Sequence, residues 1–339
     1  YGRIMICTDA DHDGFHIRGL IMNLFGTFWP SLLSQVGFIT SLVTPVVKAT
    51  KGRDVVEFQN MIEYNEWRES PNSKGWKIKY YKGLGTSTSA EGRDYFKNIV
   101  RNTLTYESTS ETTQHLDLAF EKSKADDRKR WLLEDFEPLN TKKQKVSYSD
   151  FINKELIQFS HADNIRSIPS MMDGMKPSQR KVLFSLFKKN TKEELKVARF
   201  SGYVSEQTSY HHGEASIQGT IINMAQEFVG SNNINLLQPC GQFGTRIQGG
   251  KDAASARYIS TKLSNITKVL FQEADSAILN YLNDDGQQIE PEYYAPIIPM
   301  ILVNGSDGIG TGWSSKVPLY NPADVIENVK RYNDGLELL

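Results

Sequence analysis

Arg257 and Tyr258 stand side by side near the end of a loop, Gly241 to Ser260, with four glycines in its first ten residues: Gly241, Gly244, Gly249 and Gly250. Glycine reaches backbone conformations closed to other residues and lets a chain pass close to a ligand. A phenol is a poor nucleophile near neutral pH because its pKa is about 10. A neighbouring guanidinium favours the phenolate and can also grip a phosphate through two donors. The pair reads as a nucleophile with its electrostatic partner, Tyr258 attacking a phosphodiester. The plainer alternative is a surface tyrosine that follows an arginine.

Asp9, Asp11 and Asp13, followed by Gly14, form a second group with chemistry in it. Alternate residues of an extended loop project to one side, so the three carboxylates are expected to face one cation. Oxygen-only ligation suits Mg²⁺. The same spacing opens an EF-hand loop, but that loop needs a glutamate at its twelfth position, here Leu20, and a helix before it, where this chain has a strand pattern. A solvated acidic turn remains the bland reading. The turns Lys82-Gly83-Leu-Gly85 and Gly308-Ile-Gly-Thr-Gly312 complete neither a dinucleotide fingerprint nor a phosphate loop with its lysine. His211 and His212 have no Cys or His partners at zinc spacing, so one histidine acting on a phosphate or a proton is the better expectation.

These groups need elements to position them. Arg3 to Thr8 is a short apolar run that stops at the aspartates, and Ile17, Leu20, Ile21, Leu24 and Phe28 then recur at helical spacing. Carboxylates at the C-terminal end of a strand sit where α/β folds bind ligands. Phe38 to Val47 is expected as one buried strand. Val55–Phe58, Trp76–Tyr81 and a helix over Ala90–Ile99 are expected to continue the α/β unit to about residue 110. Residues 105 to 150 turn polar and read as a helical connector with a solvated face. A second domain begins near Phe151. It holds one helix opened by Lys176 and Pro177 and another from His212 to Phe228 that stops before Gly230. With the glycine-rich ribbon after them, these suggest a helix-turn-helix with a wing, pointing His211 and His212 at DNA; a plain helical pair is the alternative. Prolines between Glu290 and Val303 exclude a long helix there, and the last twenty residues read as the start of a further helical piece.

Composition fits a globular protein, with 39% hydrophobic and 23% charged residues among 339. Gly19 to Val47 carries no charge, but its polar residues, Pro30 and Gly37 argue for a buried helix and strand rather than a membrane span. The net charge of −1 hides an asymmetry. His161 to Ser260 carries twelve Lys and Arg against eight Asp and Glu, and the remainder is net acidic. That suits one module gripping phosphates and another holding divalent metal. Cys7 and Cys240 are not paired by spacing, so reduced thiols and an intracellular setting are expected. The chain opens at Tyr1 on the run-in to a strand, as a piece of a longer protein would.

Taken together, Asp9-Ala-Asp-His-Asp-Gly14, Tyr80-Tyr-Lys-Gly-Leu-Gly-Thr-Ser87, Arg166-Ser-Ile-Pro-Ser170, Asp173-Gly-Met-Lys-Pro-Ser-Gln-Arg-Lys-Val-Leu183, Tyr210-His-His-Gly-Glu214, Phe228-Val-Gly-Ser-Asn-Asn233, Gly249 to Tyr258 and Ile309-Gly-Thr-Gly-Trp313 closely resemble the eukaryotic type IIA DNA topoisomerases. The match runs in order through nearly the whole chain, with the metal and tyrosine modules on one polypeptide, as in the eukaryotic or large-virus forms. The resemblance implies an α/β and α+β multidomain fold: the C-terminal part of a TOPRIM (Rossmann-like) domain over 1–110, a helical connector over 111–158, a winged-helix (helix-turn-helix) domain over 159–298 and the start of a tower domain over 299–339.

It also implies a DNA cleavage and religation core in which Tyr258 becomes joined to a 5′ phosphate, one tyrosine per protomer of a homodimer. Arg257, Arg166, Lys176 and His212 match positions that hold or polarise the scissile phosphate. Arg180, Lys181, His211, Gln242 and Lys251 are expected at the DNA, and Ile309 matches an apolar wedge between base pairs. Asp9, Asp11 and Asp13 match carboxylates that bind Mg²⁺, with Mn²⁺ or Ca²⁺ as substitutes. The family's metal site also uses a glutamate, and its ATPase domain supplies ATP binding; both are expected upstream of Tyr1, so this piece binds no ATP. Double-stranded DNA is the partner, no membrane is involved, and the compartment is the nucleus, or the cytoplasm or virion for a viral form. The rival readings are a TOPRIM nuclease or primase-like enzyme that uses Mg²⁺ to activate water, and a non-catalytic winged-helix DNA-binding module.

Overall fold

The computed structural model describes residues 2–81, 83–137, 139, 143–210, 212–284 and 286–339. The chain divides into two compact units. The first comprises residues 1–163 and Thr311–Trp313, and the second Asn164–Gly310 and Ser314–Leu339.

In the first unit, strands β1 (Ile4–Ile6), β2 (Ile39–Leu42), β3 (Val47–Lys51), β4 (Asp54–Phe58), β5 (Lys77–Tyr80), β6 (Thr103–Glu107) and β7 (Lys145–Ser147) sort into two sheets. The main sheet runs β1-β2-β6-β7, with β1 parallel to β2, β2 antiparallel to β6 and β6 parallel to β7. Its core holds Met22, Ile39, Leu104, Tyr106, Tyr148 and Phe151, all fully buried. Residues 105–150 are thus not helical throughout, because β6 and β7 complete this sheet. The other sheet, β4-β3-β5, is antiparallel and closes its own small core of Val47, Ala49, Phe58 and Tyr64. Phe38 to Val47, expected as one strand, is split between the two sheets, and Pro45, which cannot donate to a ladder, lies in the break.

The helix His12–Phe28 corrects a second expectation. Its apolar residues Ile17, Leu20, Leu24 and Phe28 face outward, and Gly14, Arg18, Gly19 and Met22 are buried. The packing face is built from small residues. A Cβ on Gly19 would lie 3.0 Å from Phe120 and 3.1 Å from Leu156, and one on Gly26 only 2.7 Å from Leu116. Close approach, rather than hydrophobicity, chose this face. Arg18 crosses to Glu155 in a buried ion pair of 3.0 Å on a π-helical turn, Ile152–Leu156. Burial of Glu155 pushes its carboxyl up, opposed by Arg18. Among the described residues, no helix is long and apolar enough to cross a membrane.

In the second unit, helices Pro177–Lys189, Val197–Thr208 and Glu214–Ala225 pack with an antiparallel sheet of β8 (Leu195–Lys196), β9 (Leu237–Cys240) and β10 (Ser260–Leu263), in the order β8-β10-β9. Two hairpins follow, β11 (Tyr281–Asp284) with β12 (Gln287–Pro291) and β13 (Ser306–Ile309) with β14 (Ser314–Val317), and then the helix Pro322–Asn333. The core gathers Val182, Leu183, Phe200, Val204, Ile217, Ile221 and Leu237. The middle helix was not among the expected elements, and half of its positions are polar. Its buried Ser201 and Thr208 turn their hydroxyls back onto the helix, donating to Ala198 O at 2.9 Å and Val204 O at 2.7 Å. The third helix is shorter than the expected His212–Phe228, because Asn232 donates to the carbonyls of Asn223 and Gln226 and ends it at Ala225.

Candidate active site

Tyr258 lies two residues before β10, between buried Ala256 and Ile259, and its own side chain is 69% exposed. Residues 256–258 form a turn that carries Arg257 and Tyr258 outward together before the chain enters the sheet. The Arg257 guanidinium carbon stands 5.6 Å from the centre of the Tyr258 ring. Lys196 on β8 donates to the Tyr258 carbonyl at 3.0 Å, and the Tyr258 amide donates to Ser255 O at 2.9 Å. The ring therefore has access to solvent and a cation beside it, while the backbone beneath is held.

The preceding loop is tightly built. Gly244, Gly249 and Gly250 all have positive φ, and a Cβ on Gly250 would fall 2.3 Å from the Gln226 side chain. Buried Gln226 donates to Phe243 O at 2.9 Å and Gly250 O at 3.3 Å. Asp252 accepts from the Thr245 amide and hydroxyl, both at 2.8 Å, and these donors hold its carboxyl below the usual range. Gln242 and Lys251 sit exposed on this loop.

Lys176 caps the helix Pro177–Lys189 and is presented by a turn built on buried Asp173. Asp173 accepts from the amides of Met175 and Tyr294, each at 2.9 Å, and from Arg180 Nε at 2.8 Å. Burial pushes the Asp173 carboxyl up, and Arg180 opposes that shift. Lys176 also lines a polar cleft of about 380 Å³ with Gln179, Asn223 and Ser306. A larger cavity of about 610 Å³, walled by Phe187, Phe271 and Tyr294, contains none of the expected catalytic side chains.

Two expected DNA contacts are corrected. Arg180 is 6% exposed, with its guanidinium committed to Asp173 and to Met175 O. Lys181 donates to Thr208 O at 2.8 Å and pairs with Glu290, also at 2.8 Å. Both cations hold the unit together from inside. The other described positions are reachable. Arg166 is exposed in the last turn of the helix Ile157–Ser167. Strand β13 lies against that turn so closely that a Cβ on Gly308 would meet Ser167 O at 2.3 Å, and it ends at Ile309, 77% exposed. His212 is exposed beside Tyr210, ring centres 5.3 Å apart, and Tyr210 donates to Ser216. His211 and Lys82 lie outside the described residues.

In the first unit the acidic residues do not alternate along an extended loop. Asp11 caps the helix His12–Phe28, its carboxylate accepting from the Gly14 amide at 2.7 Å, and Asp13 sits in the first helical turn. Asp9 accepts from the Leu84 amide at 2.7 Å. The chain around it admits only glycine: a Cβ on Gly14 would meet Asp9 O at 2.0 Å, and one on Gly83 the Asp9 carboxylate at 3.0 Å. The glycine turn after Tyr81 is thereby explained as the support of Asp9. Sequence reading missed Glu91 behind it, which accepts from Lys79, Tyr81 and Thr88. Burial works to raise the Glu91 carboxyl, but these donors outweigh it and hold it down to about 2. Burial and that carboxylate push the Tyr81 phenol up. The donor chemistry of the aspartates, all oxygen and anionic, fits a hard divalent cation. Among the described residues, however, no three His, Cys, Asp or Glu side chains converge as a complete metal-holding group.

Comparison with known proteins joins these pieces. Residues 166–339 match the family of the A-subunit of DNA gyrase/topoisomerase IV, and residues 42–164 match the C-terminal associated domain of TOPRIM. DNA topoisomerase 2 of Arabidopsis thaliana is 55% identical over 99% of this chain, and that of Plasmodium falciparum 54% identical over 98%. The chain spans 23% and 24% of the lengths of those relatives. A crystal structure of the Plasmodium falciparum topoisomerase II DNA-binding, cleavage and re-ligation domain superposes with a TM-score of 0.82 at 53% identity, covering all of this chain and 47% of that one. With two family matches that meet at residues 164–166 and relatives sharing more than half its residues, the chain belongs to the type II DNA topoisomerase family.

Proposed function

We propose that this chain is the DNA cleavage and religation core of an ATP-dependent type II topoisomerase, which opens a transient double-strand break in duplex DNA. The observation that carries the reading is the exposed Tyr258 ring beside Arg257 on a loop whose backbone is held from behind. In the reaction, the phenolic oxygen of Tyr258 attacks a backbone phosphorus. A Tyr258 oxygen–phosphorus bond forms, the bond from phosphorus to the 3′ oxygen breaks, and that oxygen leaves with a proton. The phosphotyrosyl linkage conserves the ester, so the reverse attack reseals the strand. Arg257, Arg166 and Lys176 would bring cationic donors to the phosphate as charge builds on it, and His212 would hold it or move a proton.

Asp9, Asp11 and Asp13 would supply carboxylates to Mg²⁺, for which Mn²⁺ or Ca²⁺ would substitute. Such a cation, when bound, polarises the leaving oxygen and neutralises an adjacent phosphate. Helices Pro177–Lys189, Val197–Thr208 and Glu214–Ala225 with the sheet β8-β10-β9 support the reading as a winged helix, and the residues beyond 299 as the start of a tower domain. We further infer a homodimer, a nuclear enzyme, and ATP used by a domain outside this chain.

The test uses the complete enzyme. Tyr258→Phe should bind duplex DNA with unchanged affinity yet leave no protein–DNA adduct after denaturant trapping, and peptide mass spectrometry of the wild type should find the nucleotide on Tyr258. An adduct that persists in Tyr258→Phe ends the proposal.

A further inference from the structure

Ile247 is 96% exposed, an extreme value for a large aliphatic side chain, at the middle of a single tight helical turn, Arg246–Gln248. A solitary exposed apolar residue is ordinary on a protein surface. This one is unusual in how firmly it is held. Thr245 and Asp252 close the base of the turn by two side-chain bonds, and the Gly250 amide donates to Thr245 O at 2.9 Å. Inside the turn, Gly249 N donates to Arg246 O and Lys251 N to Gln248 O. Gln226, itself buried, clamps the loop from the end of the helix Glu214–Ala225. The turn is possible because Gly244, Gly249 and Gly250 take positive φ.

Ordering a backbone costs conformational entropy at every residue. Here that cost is met to hold a β-branched apolar side chain in water, flanked by the exposed cations Arg246 and Lys251 and eleven residues before Tyr258. We propose that the turn Thr245–Asp252 is a preformed prong whose tip, Ile247, wedges against the bases of duplex DNA beside the phosphodiester that Tyr258 attacks. Arg246 and Lys251 would straddle the phosphates on either side of it. Apolar side chains placed against a base step unstack it and bend the duplex, and a rigid tip does so without first being ordered. The inference rests on the function proposed above and adds to it a residue that sets where the duplex sits relative to the tyrosine.

The experiment uses the full-length enzyme carrying Tyr258→Phe, so that DNA stays intact, and a duplex series with 2-aminopurine at each successive position around the preferred cleavage site. Binding should raise the fluorescence at one step in a manner that Ile247→Ala abolishes and Ile247→Leu retains. Ile247→Ala should weaken DNA binding about tenfold, as expected for losing burial of one apolar side chain, with the same dependence on salt. Since Ile247 touches solvent, its replacement should leave Tm unchanged, which separates this effect from misfolding. A 2-aminopurine profile and Kd indistinguishable from those of Ile247 would overturn the prong. That result is distinct from failure of the cleavage reading, which is scored by the Tyr258-dependent adduct in the enzyme with Tyr258 intact.

Discussion

Arg180 donates to Asp173 across 2.8 Å inside the second unit, and that carboxylate also takes the amides of Met175 and Tyr294. The turn that presents Lys176 is therefore shaped from within by a buried ion pair. Removing one partner of such a pair strands the other charge in a low-dielectric site, at about 3–5 kcal/mol. Arg180→Ala should lower unfolding stability by that amount in urea titration. A variant as stable as wild type would return Arg180 to the surface contacts.

The glycine at 250 tests the loop in front of the tyrosine. Its φ of +80° and the Gln226 side chain 2.3 Å from a would-be Cβ leave no room for alanine. Gly250→Ala should displace Gln226 and cost roughly 1–3 kcal/mol of local stability, with adduct formation falling at least about tenfold. Adduct yield at the wild-type level would show that the clamp does not matter to the chemistry.

Glu91 makes stability depend on pH near the Asp9 turn. Its carboxyl is held at about 2 against an ordinary 4.5. Because the folded value is the lower one, the contribution is complete above pH 4.5 and is lost as pH falls toward 2. The wild type should exceed Glu91→Gln by about 1 kcal/mol at neutral pH, discounted because Lys79 is partly solvent-screened, and the gap should close on acidification. Parallel stability–pH curves would remove Glu91 from this role.

DNA binding by the complete enzyme should be governed by phosphate contacts. Arg166, Lys176, Arg246, Lys251 and Arg257 offer cations on the second unit that are not enclosed in its core. Five or six such contacts predict a loss of affinity of roughly a thousandfold between about 50 and 200 mM salt, with little sequence preference. Fluorescence anisotropy across that range measures it, and a flat response would contradict it.

Much of the candidate site was legible because its chemistry is local. A glycine-rich loop ending in Arg257 and Tyr258, aspartates at the end of a strand and a proline-opened helix after Lys176 each announce themselves within a few residues, since turns, caps and charges are short-range properties. The misreadings share the opposite character. Ile17, Leu20, Leu24 and Phe28 have a helical period, yet the helix buries its glycines, because the neighbouring Phe120, Leu156 and Leu116 demand close approach. The helix Val197–Thr208 is half polar, and it joins the core because its buried hydroxyls turn onto their own backbone.

By itself the sequence determined which groups this protein has for chemistry and the family to which it belongs. Only the tertiary structure decided which cations are spent on packing and which stay accessible. Arg180 and Lys181 stand in the same basic run as Lys176, and nothing in their spacing distinguishes them. What separates them is the position of Asp173 and Glu290, the latter more than a hundred residues along the chain, and whether a lysine or arginine meets water or a buried carboxylate is settled by partners that only folding brings within reach.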